Sequence, residues 1–294
     1  MRVQLTLIPV SKKAVLPVNY NYFLTSLIYK IIKNSSEDYS RFLHDEGYRP
    51  ENSKKGFKLF TYSMLTSKKF KIGGENIVFL NSHIQWQISS PVDDFIQHLV
   101  TGVFSEGQEI KIRPGSNSSI SLNSLNGLSG LNDLNHFLIE RVETLPRPEF
   151  KGTMQFTCLS PITISKVAVL NGLNSLNGLS GLNGLNRLNR LNCHYLRPWE
   201  EGFSEAIKNN LMKKYKLVNG QDMEDSDFEI KIDTDYMNKK NGKITKNINF
   251  KGTNIIGFMA PFEVRGNPEL IEIGYEAGFG EKGSMGFGMV KEIV

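Results

Sequence analysis

A glycine-rich stretch at residues 278–288 has the composition of a loop that can hold phosphate groups. Glycine permits positive φ and close backbone approach, and successive N–H groups without side chains can cradle phosphate oxygens. A tight turn between a helix and a strand, without a ligand, is the alternative. We predict that the following residues contact a phosphate-bearing ligand: Gly278, Gly280, Lys282, Gly283, Gly286 and Gly288.

Two nucleotide-binding motifs are excluded by the context of these glycines. The spacing Gly278-x-Gly280-x-x-Gly283 formally matches the dinucleotide fingerprint. That fingerprint follows a strand and opens a helix, whereas a short predicted helix precedes the glycines here. A Walker A loop requires lysine at the position that Ser284 occupies.

Two further residues could take part in acid–base chemistry. Tyr29 lies roughly 130° from the centre of its predicted helix's apolar stripe, so it faces either a cleft or the outer surface. His44 ends the next short helix outside the apolar face of that helix. Imidazole titrates near neutrality and suits proton transfer, although a single exposed histidine is usually inert.

The composition limits the classes of protein that the chain can belong to. The formal charge of +5 and the pI near 9.0 are compatible with a polyanionic partner but do not require one. Two cysteines, neither in a Cys-x-x-Cys pair, indicate no disulfide framework and no zinc ribbon. We expect no metal and no cofactor. The start of the chain resembles a strand and not a signal peptide, and no run of about 18 apolar residues occurs. We therefore expect a cytoplasmic protein without a membrane span.

The predicted elements of the first half follow the order of a ferredoxin-like βαββαβ unit. Alternating apolar residues indicate strands, and apolar spacings of three and four indicate helices. The predicted strands cover 2–8, 57–64, 77–90 and 108–113, and the predicted helices cover 20–33, a short stretch capped by Ser36, and a stretch after Pro91.

The second half repeats this order more loosely. We predict an α+β protein of two tandem ferredoxin-like domains, with residues 1–146 and 147–294 and a C-terminal glycine-rich loop. The predicted strands cover 150–159, 227–236, 250–264 and 285–293, and the predicted helices cover 199–215 and 268–277.

Two low-complexity segments, at 121–135 and 170–192, repeat leucine every third residue among Asn, Gly and Ser. This period matches neither a strand nor an α-helix, because on an α-helix the leucines would drift by about 60° per step. We interpret both segments as expanded connecting loops without a chemical role.

Several short motifs resemble those of the CRISPR-associated repeat-RNA endoribonucleases, the protein six family of the RAMP (repeat-associated mysterious protein) superfamily. The tail pattern is Gly-Tyr-x-x-Gly-Phe-Gly, five residues, then Gly-Phe-Gly-x-Val, from Gly274 to Val290. The other motifs are the opening strand Met1–Pro9, Asn19-Tyr20, Leu27-Ile28-Tyr29, Phe42-Leu43-His44, Lys58-Leu59-Phe60-Thr61-Tyr62-Ser63 and Leu159-Ser160-Pro161-Ile162.

The resemblance to the archaeal branch of this family implies three catalytic residues. Its tyrosine, histidine and lysine fall on Tyr29, His44 and Lys58. The segment between His44 and Lys58 looks longer than is usual in the family, so Lys54 or Lys55 could take the place of Lys58. The Lys-Leu-Phe-Thr-Tyr match favours Lys58.

The implied activity is cleavage of CRISPR repeat RNA without a metal. The 2′-OH beside the scissile phosphate would attack it, leaving a 2′,3′-cyclic phosphate and a 5′-OH. We expect Tyr29 to act as base, His44 as acid and Lys58 as electrostatic stabiliser, and the first two roles could be exchanged. The alternatives are a non-catalytic RNA-binding subunit of a CRISPR interference complex and an unrelated ferredoxin-like protein with a small phosphorylated ligand. We expect repeat RNA as partner, with interference-complex subunits possible, and a monomer or homodimer.

Overall fold

The computed structural model describes most of the chain outside the two leucine-repeat segments. No helix among the described residues is both long enough and apolar enough to cross a membrane. The described residues are 1–11, 13–50, 56–80, 83–105, 109–112, 135–165, 194–224 and 227–293.

The first half contains a larger antiparallel sheet, a smaller three-stranded sheet and three helices, with a π-helical turn at Phe42–Glu46. Its elements are β1 (Arg2–Pro9), β2 (Lys13–Pro17), α1 (Asn21–Ser35), α2 (Glu37–Arg41), β3 (Thr61–Tyr62), β4 (Thr66–Ser67), β5 (Phe70–Gly73), β6 (Asn76–Leu80), β7 (Ile84–Ser89), α3 (Asp93–Ser105), β8 (Glu109–Lys111) and β9 (His136–Leu145).

The larger sheet has the strand order β3-β7-β1-β9-β8, and β4 also pairs with β7. The central strand β1 places Leu5 opposite Trp86 of β7 and opposite Val142 of β9. Apolar residues of α1 and α3 share one core with this sheet. Two of its large aromatic side chains, Trp86 and Phe137, have no exposed surface. A separate sheet of order β2-β6-β5 extends this half.

The second half has its own four-stranded sheet, of order β11-β14-β10-β15, and its own core. A two-stranded hairpin, β12–β13, stands apart from that sheet. The elements are β10 (Thr153–Cys158), α4 (Phe203–Asn219), β11 (Glu229–Ile232), α5 (Thr234–Lys239), β12 (Thr245–Phe250), β13 (Thr253–Phe258), β14 (Phe262–Arg265), α6 (Pro268–Ala277), a 3₁₀ turn (Gly283–Met285) and β15 (Val290–Glu292).

Both halves are therefore mixed α+β units, as predicted, but several predicted boundaries were wrong. The predicted strand 77–90 is two strands in different sheets, β6 and β7. The predicted strand 108–113 is only the short edge strand β8. The strand that pairs with β1 on the side away from β7 is β9, which the sequence analysis did not predict.

The second half needed similar corrections. The predicted strand 227–236 is the strand β11 followed by the helix α5, and 250–264 covers parts of three strands, β12 to β14. The predicted strand 285–293 is shortened to β15, because a 3₁₀ turn occupies its start. The leucine-repeat segments, which we interpreted as connecting loops, lie outside the described residues.

Candidate active site and glycine-rich loop

Helix α1 positions the first candidate residue, Tyr29. The apolar side chains of α1 face the core, and Tyr29 lies half-buried at the edge of that face. Its ring centroid is 6.2 Å from that of Phe60 and 5.4 Å from that of His44, both at steep angles. Tyr29 is thus held by packing on one side and reaches a surface pocket on the other.

His44 lies in the π-helical turn that continues α2. Ser36 caps α2 by accepting a hydrogen bond from the Tyr39 amide, and Ser40 donates one of 3.2 Å to the carbonyl of Tyr29. The second of these bonds fixes α2 against α1. The turn ends at Gly47, whose φ of +66° suits glycine. The exposed His44 side chain is therefore presented beside Tyr29 by a structured turn.

Lys58 reaches the same region from the chain segment before β3. Its ammonium donates a 2.7 Å hydrogen bond to the main-chain carbonyl of His44. A Cβ on Gly47 would lie 2.6 Å from the carbonyl oxygen of Phe57 and 3.0 Å from Cδ of Lys58. Lys58 can therefore approach the His44 carbonyl only because position 47 is glycine. Leu59, the residue after Lys58, adopts a φ of +49°, which is uncommon for residues other than glycine.

A two-residue bridge fixes the ends of the segment between His44 and Lys58. Tyr48 and Phe57 exchange backbone hydrogen bonds of 2.8 and 2.7 Å. Residues 51–55, which include the alternative candidates Lys54 and Lys55, lie outside the described residues. Among the three candidate lysines, Lys58 is the one whose position the structure describes.

The electrostatic environment distinguishes the three candidate groups. Burial raises the pKa of Tyr29 to about 12, so its phenol is protonated at neutral pH. Burial, followed by the nearby charge of Arg49, lowers the pKa of Lys58, and Asp45 partly opposes this. Asp45 contacts Nδ1 of His44 at 2.7 Å, and this contact lowers the pKa of the Asp45 carboxyl.

A shallow pocket of about 230 Å³ opens beside Tyr29 and His44. Two cations at its rim, Lys33 and Arg41, were not identified from the sequence. Their spacings were a usable signal, because Lys33 is four residues after Tyr29 and Arg41 is three before His44. The lining residues are Tyr29, Lys33, Glu37, Ser40, Arg41, His44 and Asp45.

The glycine-rich loop, residues 278–288, lies where the two halves of the chain meet. A Cβ on Gly286 would lie 2.7 Å from Nδ2 of Asn21 and from Cζ of Tyr62, and a Cβ on Gly280 would clash with the carbonyl oxygen of Thr163. First-half side chains donate hydrogen bonds to carbonyls of the loop. These are Asn21 to Met285 and Gly286, Thr25 to Ser284, and Thr61 to Phe287.

Lys214 of α4 holds the same loop from the second half. Its ammonium is fully buried and donates to the carbonyls of Ala277, Gly278 and Gly280 at 3.3, 2.6 and 2.7 Å. Burial lowers its pKa to about 7, partly opposed by Glu281. Lys214 was not predicted as a site residue, although Leu211 and Ile207, three and seven positions earlier, place it on the buried face of α4.

These contacts leave the middle of the loop as its accessible part. Gly278, Gly280, Gly286 and Gly288 are buried, whereas residues 281–285, which include Lys282 and Gly283, are partly exposed. Within the described residues, no group of three or more His, Cys, Asp or Glu side chains is placed to bind a metal ion.

Family models match both halves of the chain. Residues 15–115 match the model described as CRISPR-associated protein Cas6, N-terminal, and residues 145–292 match that described as CRISPR associated protein Cas6, C-terminal. The chain belongs to the Cas6 family of CRISPR-associated proteins, which confirms the resemblance seen in its motifs.

Relatives match over the full length of the chain. The CRISPR-associated endoribonuclease Cas6 1 of Methanocaldococcus jannaschii is 30% identical, over 100% of this chain and 93% of the relative. The CRISPR-associated endoribonuclease Cas6 of Pyrococcus furiosus is 27% identical, over 99% of this chain and 89% of the relative. A solved Cas6-related protein from Pyrococcus furiosus is 26% identical, with a TM-score of 0.71 over 100% of this chain and 98% of that one.

Proposed function

We propose that this protein is an endoribonuclease that binds CRISPR repeat RNA and cuts the precursor transcript within each repeat to give guide crRNAs. The observation that carries this proposal is the proximity of three residues that are separated in sequence: Tyr29 and His44 line one surface pocket, and the ammonium of Lys58 binds the main-chain carbonyl of His44. The two full-length relatives named as endoribonucleases support the same activity.

We further infer that the two halves are ferredoxin-like domains, residues 1–146 and 147–294. Numbered along a βαββαβ unit, the strands β9, β1, β7 and β3 give the order 4-1-3-2. The strands β15, β10, β14 and β11 of the second half give the same order. This order, with a helix after the first and the third strand of each unit, supports the assignment.

The mechanism that we infer uses the RNA's own 2′-OH as nucleophile. A base removes the proton from the 2′-oxygen, which bonds to phosphorus while the bond to the 5′-oxygen breaks. An acid then protonates that oxygen, giving a 2′,3′-cyclic phosphate and a 5′-OH. No metal is needed for these transfers.

The surroundings of His44 suit it to one of the two proton transfers. Asp45 engages Nδ1, which leaves Nε2 as the nitrogen available to the RNA. Tyr29 is protonated at neutral pH, so it acts as base only if cations near the bound phosphate favour its phenolate. We assign Tyr29 as base and His44 as acid, while the exchanged roles satisfy the same chemistry. Lys58 stabilises charge on the phosphate.

RNA backbone phosphates are proposed to contact the glycine-rich loop at its exposed middle. Lys282 and Gly283 supply a charge and a backbone N–H there. The buried glycines Gly278, Gly280, Gly286 and Gly288 act by allowing the close packing that gives the loop its shape.

Single-turnover cleavage of a repeat RNA tests the proposal. We expect the parent protein to cut in excess EDTA, and a 2′-deoxy substitution just 5′ of the cut to abolish cleavage while binding persists. His44→Ala should slow cleavage by about two orders of magnitude. His83→Ala is the matched control, because His83 is also exposed and also contacts a carboxylate, that of Glu140 at 3.0 Å.

Two results would contradict the proposal: cleavage by His44→Ala at the parental rate, or a reaction that EDTA stops and magnesium restores. If the parent binds repeat RNA but does not cut it, the protein is instead a non-catalytic RNA-binding subunit of a CRISPR interference complex.

A further inference from the structure

One face of α1 carries polar and charged side chains along its whole length. Tyr22, Ser26, Tyr29 and Lys33 are spaced by four, three and four residues, so at 100° per residue they fall within about 60° of one another. Ser26 and Lys33 are exposed, and both tyrosines are partly exposed. Tyr22 lies two helical turns, or about 10 Å, from Tyr29.

A lysine from the second half of the chain covers the far end of this face. The ammonium of Lys251 lies 4.3 Å from the centroid of the Tyr22 ring, and the ring of Phe250 meets Tyr22 edge-on at 5.6 Å. Hydrogen bonding to Lys251, and then to Ser26, lowers the pKa of the Tyr22 phenol. One ammonium and two hydroxyl groups therefore converge on the surface of α1.

The backbone at Lys251 is unusual for a lysine. Lys251 and Gly252 are the two central residues of the β12–β13 hairpin, with φ values of +52° and +81°. Such type I′ turns favour Asn-Gly, and this chain has an Asn-Gly pair, Asn241 and Gly242, with similar φ values of +50° and +71°. A lysine at position 251 is unfavourable for the turn, which indicates that its side chain has a separate use.

Other contacts already hold the hairpin against α1. The Asn249 amide donates to Oδ1 of Asn19, just before α1, at 3.1 Å. Within the hairpin, Oδ1 of Asn249 accepts from the amide of Gly252 at 2.9 Å. Phe250 packs on Tyr22. Because docking of the hairpin does not need the charge of Lys251, that charge is available to an anionic ligand.

We propose that Lys251, Tyr22 and Ser26 form a second phosphate-binding site, for a backbone phosphodiester of the bound RNA, at the opposite end of the α1 face from Tyr29. The proposal rests on the proposed RNA-binding function and extends it. RNA is the anionic ligand that the proposed function brings to this surface. The site aligns the RNA along α1 so that the scissile phosphate reaches Tyr29 and His44. The site contributes to binding and not to proton transfer.

The substitution Lys251→Asn tests the site because its two effects have opposite signs. Asparagine suits the turn better, so the melting temperature should stay the same or rise. Affinity for repeat RNA should fall about tenfold, the loss of one hydrogen bond to a charged group. The slope of log affinity against log salt concentration is negative, and its magnitude should decrease by about 0.7, the value for one phosphate contact on a single strand.

Lys240→Asn is the matched control, since Lys240 also lies over a tyrosine ring, that of Tyr236 at 5.7 Å, but not on α1. It should leave affinity and salt slope at parental values. A scan of single uncharged methylphosphonates along the repeat should find one position that weakens binding to the parent but not to Lys251→Asn.

The site is rejected if Lys251→Asn retains the parental affinity and salt slope. It is also rejected if the melting temperature and affinity fall together, because Lys251 would then only hold the hairpin. A parent protein that binds no repeat RNA would overturn both this site and the proposed function, whereas failure of the Lys251 test alone leaves the proposed function standing.

Discussion

The ammonium of Lys58 donates a 2.7 Å hydrogen bond to the main-chain carbonyl of His44. The bond links the segment before β3 to the π-helical turn, and so it joins two candidate catalytic residues that are 14 positions apart. A bound phosphate would compete with this carbonyl for the ammonium. Lys58 thus has a structural contact in the free protein, and the proposed electrostatic role requires its ammonium to exchange that contact for the phosphate.

Lys58→Met keeps the aliphatic stem of the side chain and removes the ammonium. We expect single-turnover cleavage to slow by about 10²–10³-fold, the usual effect of losing one charge-stabilising donor. Lys54→Met and Lys55→Met, in the segment that the structure does not describe, should cleave at rates close to the parental one. Near-parental cleavage by Lys58→Met, with a large loss in either of the other variants, would move the catalytic lysine to that position.

Tyr29→Phe removes a half-buried hydroxyl and keeps the ring that contacts His44 and Phe60. The melting temperature should be unchanged, because these ring contacts remain. Cleavage should slow by about 10²-fold or more if the phenol transfers a proton. A parental rate in this variant would remove Tyr29 from the mechanism while leaving His44 in place.

Gly286→Ala introduces a methyl group where the loop touches the first half. Its φ is +81°, and the new Cβ would crowd Asn21 and Tyr62. We expect a loss of about 1–3 kcal/mol from overpacking, in addition to the backbone cost of a positive φ. Gly74→Ala is the control, because its φ is +58° but nothing lies within 4 Å. Equal losses in chemical denaturation would show that Gly286 does not pack tightly between the halves.

Lys214→Met should alter how the stability of the protein depends on pH. The pKa of this lysine falls from 10.5 to about 7 on burial, so between these values the unfolded chain holds a proton that the folded protein has released. The Lys214 contribution to the free energy of unfolding therefore rises with pH across that window, by at most about 1.4 kcal/mol per pH unit, and is fully present above it.

Urea denaturation of the parent and of Lys214→Met between pH 6 and 10 measures this contribution as the difference between the two curves. The difference should grow with pH above about 7. Lys213→Met, at the exposed neighbouring position, should follow the parent at every pH. A constant difference between the parent and Lys214→Met would mean that Lys214 keeps its proton in both states.

The leucine-repeat segments 121–134 and 170–191 should be dispensable. Hydrogen bonding brings together the residues that flank each of the two undescribed stretches. The amide of Ile112 donates to the carbonyl of Asn135 at 3.0 Å, and Ser165 forms a bridge with Tyr195. Short Gly/Ser linkers can therefore close both gaps, with cleavage within a few-fold of the parental rate. A large drop in melting temperature would show instead that the leucines pack against the core.

Local signals in the sequence predicted some elements closely. Helix α6 was predicted at the bounds that the structure shows, because three end signals agree. Asn267 caps it by accepting from the amide of Glu269, Pro268 begins it, and Gly278 follows its last residue. The family resemblance singled out Tyr29, His44 and Lys58, which lie close together in the fold, and their roles stay predictions.

Pairing between distant segments was not visible in local patterns. Residues 76–80 and 84–89 both have strand-like sequences, and nothing in their local pattern shows that they join different sheets. Strand β9 was missed because charged residues such as Glu140, Arg141 and Glu143 mask its short apolar alternation at Phe137 and Ile139. The π-helical turn at 42–46 was likewise not predicted.

The place of the glycine-rich loop in the chain has a consequence for biosynthesis. The first half can complete its sheet once β9 has left the ribosome. Its contacts with the loop form only after residues 278–288 have followed, a delay on the order of ten seconds at usual translation rates. Until then the side chains of Asn21, Thr25 and Thr61 lack the loop carbonyls to which they donate hydrogen bonds. A nascent chain therefore joins its first half to the glycine-rich loop only at the end of synthesis, so a chain truncated before residue 278 lacks these contacts altogether.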